Sequence, residues 1–205
     1  MKLLAVTQRV TVEPRYHERR DSLDQAWSRF LTEVDLLPIP VPNCAWVAKA
    51  LADAVPIEGL LLTGGDDLAV YGGSTPERDD TELALLDVAM QRGVPVMGVC
   101  RGMQLIQHRF GIKLYSVDGH VTPRQRILIE GRPAEVNSYH HLATNQTVPA
   151  LTPWARAEDG VIEAVRHVDL PLAGIMWHPE RMSPFAERDK ALFCQFFGRN
   201  VECAR

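Results

Sequence analysis

The sequence predicts an α/β fold: a mostly parallel sheet flanked by helices, with an antiparallel strand extension in the second half. Three observations carry this. Four short apolar runs alternate with stretches of helical periodicity in the first hundred residues, as parallel strands covered on both faces do. After Gly111 the helical spacing gives way to strand-like runs paired around turn residues. Finally, no linker-like stretch divides the 205 residues, so a single domain over 1–205 is expected.

In order, Leu3 to Thr7 reads as a buried first strand, followed by a polar stretch from Gln8 to Arg20 rich in arginine. Leu23, Ala26, Trp27, Phe30, Leu31 and Val34 recur at helical spacing, with Asp21 or Ser22 as cap. Leu36 to Val41 suggests a second strand that its prolines confine to an edge. Asn43 then caps a helix running to about Ala54. Gly59 to Thr63 is a third strand, ending in Gly64-Gly65-Asp66-Asp67, and Arg78 to Gln91 reads as a helix. Val94 to Val99 is the next strand, followed by an amphipathic segment with Met103, Leu105, Ile106 and Phe110 apolar.

In the second half, Ile112 to Tyr115 reads as a short strand. Gln125 to Glu130 and Ala134 to Asn137 form a hairpin around Gly131-Arg132-Pro133. Val161 to His167 and Leu172 to Trp177 pair around Asp169-Leu170-Pro171, and a helix from Glu187 to Phe197 closes the domain.

Composition excludes several roles. A formal net charge of -4 disfavours nucleic acid or another polyanion as partner. No apolar run approaches the roughly 20 residues that span a bilayer, and MKLLAVTQRV reads as a strand rather than a signal peptide. Cys44, Cys100, Cys194 and Cys203 show no CxxC pair and no zinc-like spacing, so reduced thiols and a cytoplasmic location are expected.

The chemistry centres on Cys100. It sits where a strand turns into a helix, with Gly98 and Gly102 two residues to either side. This is a nucleophile elbow with sulfur in place of oxygen. Side chains at the two glycines would collide with the neighbouring strand and helix. The unpaired amides and positive dipole end of the following helix favour a thiolate there. The competing reading is a buried structural cysteine.

His178 is the best base or acid candidate, because it ends a strand and Glu180 follows two residues on. In an extended segment both side chains point the same way, so the carboxylate can fix the imidazole tautomer. His17, His108, His120, His140, His141 and His167 lack such an adjacent acid, although the His140-His141 doublet suits a binding loop. The elbow supplies the Arg101 amide to an oxyanion hole, and the Gly64-Gly65 turn is the candidate for a second amide.

Gly98 to Gln104 (GVCRGMQ), Thr63 to Asp67 (TGGDD), Arg78-Asp79-x-x-Glu82 and Trp177 to Glu180 (WHPE) together resemble the class I glutamine amidotransferase-like family. They are most similar to its γ-glutamyl hydrolase branch. The resemblance implies a flavodoxin-like fold, a Cys100-His178-Glu180 triad and oxyanion amides at Gly65 and Arg101. It also implies recognition of the glutamyl group near Gln104, Ser138, Tyr139 and His140. No metal or organic cofactor is implied.

Val6-Thr7-Gln8-Arg9, Tyr16-x-Glu18-x-Arg20-Asp21 and Trp27 are in turn similar to bacterial γ-glutamyl-CDP-amidate hydrolases, which serve the phosphoramidate decoration of surface polysaccharides. Arg9, Arg19 and Arg20 would suit a diphosphate; a solvated surface loop is the equal alternative. The resulting expectation is a γ-glutamyl amide hydrolase that forms a glutamyl thioester and releases glutamate from a small-molecule substrate. A γ-glutamyl-γ-aminobutyrate-type hydrolase and a glutaminase subunit with a synthase partner remain as alternatives. Exposed Trp46 or Trp154 are the candidate contacts of a homodimer.

Overall fold

The computed structural model describes residues 1–198; Cys203 lies outside the described residues. The strands are β1 (Lys2–Val6), β2 (Arg9–Glu13), β3 (Glu18–Ser22), β4 (Leu36–Pro40), β5 (Gly59–Leu62), β6 (Val96–Val99), β7 (Tyr115–Ser116), β8 (Val121–Ile129), β9 (Arg132–Tyr139), β10 (Leu142–Ala143), β11 (Leu151–Ala157), β12 (Ile162–His167) and β13 (Leu172–Ile175). The helices are α1 (Gln25–Glu33), α2 (Ala45–Ala54), α3 (Pro76–Arg92), α4 (Arg101–Arg109) and α5 (Glu187–Phe196).

Among the described residues, the central sheet has nine strands in the order β4-β1-β5-β6-β13-β12-β11-β8-β9. The pairs from β4 to β13 are parallel. Those from β13 to β9 are antiparallel. The fold class expected from the sequence is therefore the observed one, and β13 is the strand that joins its two halves.

Side-chain alternation along the parallel strands feeds two cores. Leu4, Val6, Leu61, Met97 and Val99 point to the face covered by α1 and α5, where Trp27, Phe30, Phe193 and Phe197 pack. Ala5, Leu60, Leu62 and Val96 point to the other face, against Ala48, Leu86, Met103 and Ile106 of α2, α3 and α4. The period of two is what an extended chain dictates. Phe30 is fully buried, worth about 1.5–3 kcal/mol relative to exposure.

Several local expectations are corrected. The stretch after β1 is a hairpin, β2 with β3 in antiparallel register from Arg9↔Ser22 to Glu13↔Glu18. Most of its residues are exposed; the Val10–Val12 alternation of β2 is short, and β3 carries no apolar residue to pair with it. Asp21 and Ser22 consequently belong to β3, and Asp24 caps α1, accepting from the Ala26 amide at 2.8 Å. Cys44 rather than Asn43 precedes α2; the Asn43 amide instead donates to Asp21 and to the Gln8 carbonyl.

The β8–β9 turn is Glu130-Gly131, both with positive φ, the conformation that tight two-residue hairpins favour. Pro133 then pairs with Leu128 inside β9, tolerated because β9 is an edge strand. Of the expected strand from Ile112, only Tyr115 is extended, pairing in β7 with β10. Strand β11, which the sequence reading missed, carries Pro153. Trp46 is 75% exposed as expected, but Trp154 packs edge-on against Trp177 at 5.7 Å and is half-buried.

Candidate active site

Cys100 lies between β6 and α4 with φ 53° and ψ -106°, a backbone region costing a non-glycine residue on the order of 1–3 kcal/mol. Packing holds it there. A Cβ at Gly98 would stand 2.6 Å from the Gly102 backbone, and one at Gly102 would stand 2.1 Å from the Leu62 carbonyl oxygen. Helix α4 therefore rests directly on β5 and β6. The Cys100 amide donates to the Ile175 carbonyl at 2.7 Å, which ties the elbow to β13.

His178 follows β13 in extended conformation and is almost fully buried. Its Nδ1 lies 2.7 Å from Glu180 Oε1. The pairing is the expected one, but a 3-10 turn over Pro179–Arg181 makes it, not an extended segment. Sequence reading missed the residue that aims the histidine. Asn137 of β9 brackets the His178 backbone: the His178 amide donates to Asn137 Oδ1 at 2.7 Å, and Asn137 Nδ2 donates to the His178 carbonyl at 2.8 Å. Only the Val-Asn-Ser-Tyr-His-His segment around it gave a signal.

Burial by itself would lower the His178 pKa. The approach of the Cys100 sulfur and the bond to Glu180 outweigh it and push the pKa up to about 9. Cys100 acts on the ring both through its side chain as a hydrogen-bond partner and through charge. Gly64 makes room for it, since a Cβ there would lie 2.6 Å from His178 Cε1 and 3.5 Å from Cys100 Cβ.

The Gly64-Gly65 turn is fixed from behind. Arg78 donates to the Thr63 carbonyl at 2.8 Å and the Gly64 carbonyl at 3.1 Å, and to Glu82 at 2.9 Å. Arg101, next to Cys100, ion-pairs with the same Glu82 and with Asp79. Burial pushes the Glu82 carboxyl up, but Arg101 and Arg78 override it and hold it below its ordinary value. The Arg78-Asp79-x-x-Glu82 motif is thus a buried charge network joining the glycine turn to the elbow.

A cavity of about 300 Å³ opens beside Gly64, His178 and Glu180, lined also by Arg9, Trp27 and Arg181. Arg9 lies over Gly65, whose φ is +133° and whose Cβ would meet Arg9 Nε at 2.7 Å. The structure does not bring Arg19 to this cavity. Arg19 binds Glu77 and the Ser74 carbonyl, tethering the hairpin to the start of α3. Arg20 pairs with Glu18 on the surface.

The residues expected to recognise a glutamyl group divide similarly. Tyr139 stands edge-on to His178 at 5.8 Å, with Arg181 over its ring at 4.9 Å. Gln104 is turned to the Leu142 carbonyl at 2.9 Å. Ser138 is fully buried and donates to the His120 carbonyl at 2.6 Å. His140 is buried beside His120 and Glu163, away from His178's ring partners. Of these four, Tyr139 alone stands beside the His178 ring; Gln104, Ser138 and His140 are buried.

The family model of peptidase C26 matches residues 2–180. The chain belongs to the peptidase C26 family. It is 28% identical over 182 residues to the γ-glutamyl-CDP-amidate hydrolase of Campylobacter jejuni, covering 87% of this chain and 90% of that protein. It is 27% identical over 197 residues to the γ-glutamyl-γ-aminobutyrate hydrolase of Escherichia coli K12, covering 77% and 78%. A crystal structure of a Thermotoga maritima glutamine amidotransferase superposes with a TM-score of 0.67 at 13% identity, covering 95% of this chain and 82% of that one. This last likeness is one of fold. Among the described residues, no helix is long and apolar enough to cross a membrane.

Proposed function

We propose that this chain is a γ-glutamyl amide hydrolase in which Cys100, His178 and Glu180 act as a triad. The observation that carries the proposal is the strained, buried Cys100 set against a histidine whose pKa is raised to about 9. Near neutral pH that histidine carries the proton it later gives up, and Cys100 is the nucleophile set against it. The Cys100 sulfur attacks the γ-carbonyl carbon. The resulting oxyanion is met by the amides of Gly65 and Arg101, each worth about 2.7–4 kcal/mol in comparable sites. His178 gives its proton to the departing nitrogen, the carbon–nitrogen bond breaks, and the amine leaves. Water, losing its proton to His178, then opens the glutamyl thioester and frees glutamate.

The names of the related hydrolases support the γ-glutamyl part of this reading. For the leaving group, Arg9 and Arg181 line the cavity beside Asp24 and Glu180; the two guanidiniums offer an anion its hydrogen-bond donors, which a γ-glutamyl nucleoside-diphosphate amidate would use more fully than a γ-glutamyl amino acid. A panel of a γ-glutamyl-CDP-amidate, γ-glutamyl-γ-aminobutyrate and glutamine tests it through kcat/KM. The nucleotide substrate is expected first. In Arg9→Ala its KM should rise about tenfold or more, while Arg19→Ala leaves it unchanged. Cys100→Ala should fold and lose turnover, with no glutamyl adduct by mass spectrometry after rapid quench; an active Cys100→Ala protein overturns the mechanism.

A further inference from the structure

His120, His140 and Glu163 come from three separate parts of the chain and meet in the antiparallel half. His120 immediately precedes β8, His140 immediately follows β9, and Glu163 lies in β12. All three are at most 3% exposed, and one ligating atom from each lies within 4.8 Å of the others. The reaction proposed above uses none of them. Both ring nitrogens of His140 and Oε2 of Glu163 are buried without a hydrogen-bond partner. Groups so placed each cost about 1–3 kcal/mol unless something satisfies them.

We propose that these three side chains form a structural site for a divalent transition-metal ion, with Zn²⁺ the fitting cation. Two imidazoles and one carboxylate are a donor set that zinc favours. Tetrahedral zinc with bonds of about 2.0–2.1 Å holds its ligand atoms about 3.3 Å apart. His120 Nδ1 is 3.1 Å from Glu163 Oε1, and His140 Nε2 is 3.5 Å from the same oxygen. Gln125 closes a fourth side: its amide nitrogen is 2.8 Å from His120 Nδ1 and its buried Oε1 has no partner. Turning that amide over presents the oxygen instead.

The surroundings match as well. Metal-bound histidines characteristically donate their other N–H to a carboxylate, and His120 Nε2 lies 3.0 Å from Asp159 Oδ2. Asp159 is itself oriented by the Val161 amide at 3.1 Å. Its side chain is 53% exposed. The charge also closes: a dication balances the carboxylates of Glu163 and Asp159, whereas a single proton on His120 leaves one negative charge over.

The ion would pin the half of the sheet that aims His178. Glu163 accepts the Met176 amide at 2.8 Å through its backbone carbonyl. Asn137 of β9, which brackets His178, lies three residues before His140, which immediately follows that strand.

The test uses full-length metal-free protein titrated with Zn²⁺ and Co²⁺, in wild type and in Cys100→Ala, so that the reactive thiol is not mistaken for a ligand. One equivalent of Co²⁺ is expected in both, with tetrahedral visible bands and no sulfur charge transfer. At a Zn²⁺ concentration a hundred times its Kd, Tm should rise by roughly 5–10 °C. His140→Ala and Glu163→Gln should lose both signals. If either variant fails to fold, X-ray absorption on the zinc-loaded Cys100→Ala protein decides: two imidazoles and only nitrogen or oxygen donors support the site. One imidazole, no stoichiometric binding, or binding undiminished in folded His140→Ala overturns it.

Discussion

The two halves of the sheet hold their share of the candidate site by different means. The parallel half fixes Cys100 by steric exclusion: Gly98 and Gly102 admit no other side chain, and the backbone at Cys100 is forced to φ 53°. The antiparallel half fixes His178 by directed hydrogen bonds, from Asn137 to its backbone and from Glu180 to its ring. Sterics are unforgiving and give one geometry or none. Hydrogen bonds can be weakened one at a time, so the two halves should fail differently.

The largest effect belongs to the steric half. In Gly102→Ala the new methyl meets a backbone carbonyl at 2.1 Å, and neither partner is a flexible side-chain end. Overpacking typically costs 1–3 kcal/mol and more where backbone must move. Gly102→Ala is expected to lose at least about 3 kcal/mol of stability or to fail to fold. Gly160→Ala, whose Cβ would meet nothing within 4 Å, carries only the strain of φ +89° and should cost about 1 kcal/mol. Urea unfolding of both variants measures the contrast. Equal losses would break the steric account of the elbow.

The hydrogen-bonded half should lose function before it loses the fold. Asn137→Ala leaves the buried amide and carbonyl of His178 without partners. A cost of about 2–4 kcal/mol follows from the two unsatisfied groups. A misaimed histidine should lower kcat by about 10²-fold, with KM nearly unchanged. Asn137→Asp retains the acceptor for the His178 amide and loses the donor, so it should recover part of kcat. Steady-state kinetics on folded protein checks this; a change confined to KM would place Asn137 in binding rather than positioning.

How much of this was legible follows the same division. Steric and covalent rules act over a few residues, so the elbow, its glycines and the His178-x-Glu180 spacing could be read directly. The four parallel strands could be read because each is a short apolar run, β5 and β6 being buried at every residue, and the helices because their apolar residues recur at helical spacing. What escaped depends on partners distant in sequence. Asn137 lies 41 residues from His178, and His120, His140 and Glu163 meet only through sheet register. The β2–β3 hairpin escaped because its strands are solvated on nearly every side chain. Arg19 shows the cost of that miss: in a loop it could reach a ligand, but in β3 it is held against Glu77.

The mildest perturbation is pH, which weakens the same hydrogen bonds without a mutation. The folded pKa of His178, about 9, stands above its ordinary 6.5. Its contribution to stability is therefore complete below pH 6.5 and is lost as pH rises through 9. In the proposed mechanism the same proton is the one delivered to the leaving nitrogen, so kcat/KM should fall along an alkaline limb centred near pH 9. Glu180→Gln keeps a hydrogen-bond acceptor for Nδ1 but removes the charge. Its limb should lie about one pH unit lower, with a smaller loss of kcat at pH 6 than at pH 8. The pH–rate profiles of the two proteins measure the shift. An unmoved limb would mean that Glu180 orients the ring without stabilising its proton, and that the antiparallel half, like the parallel one, works by placement alone.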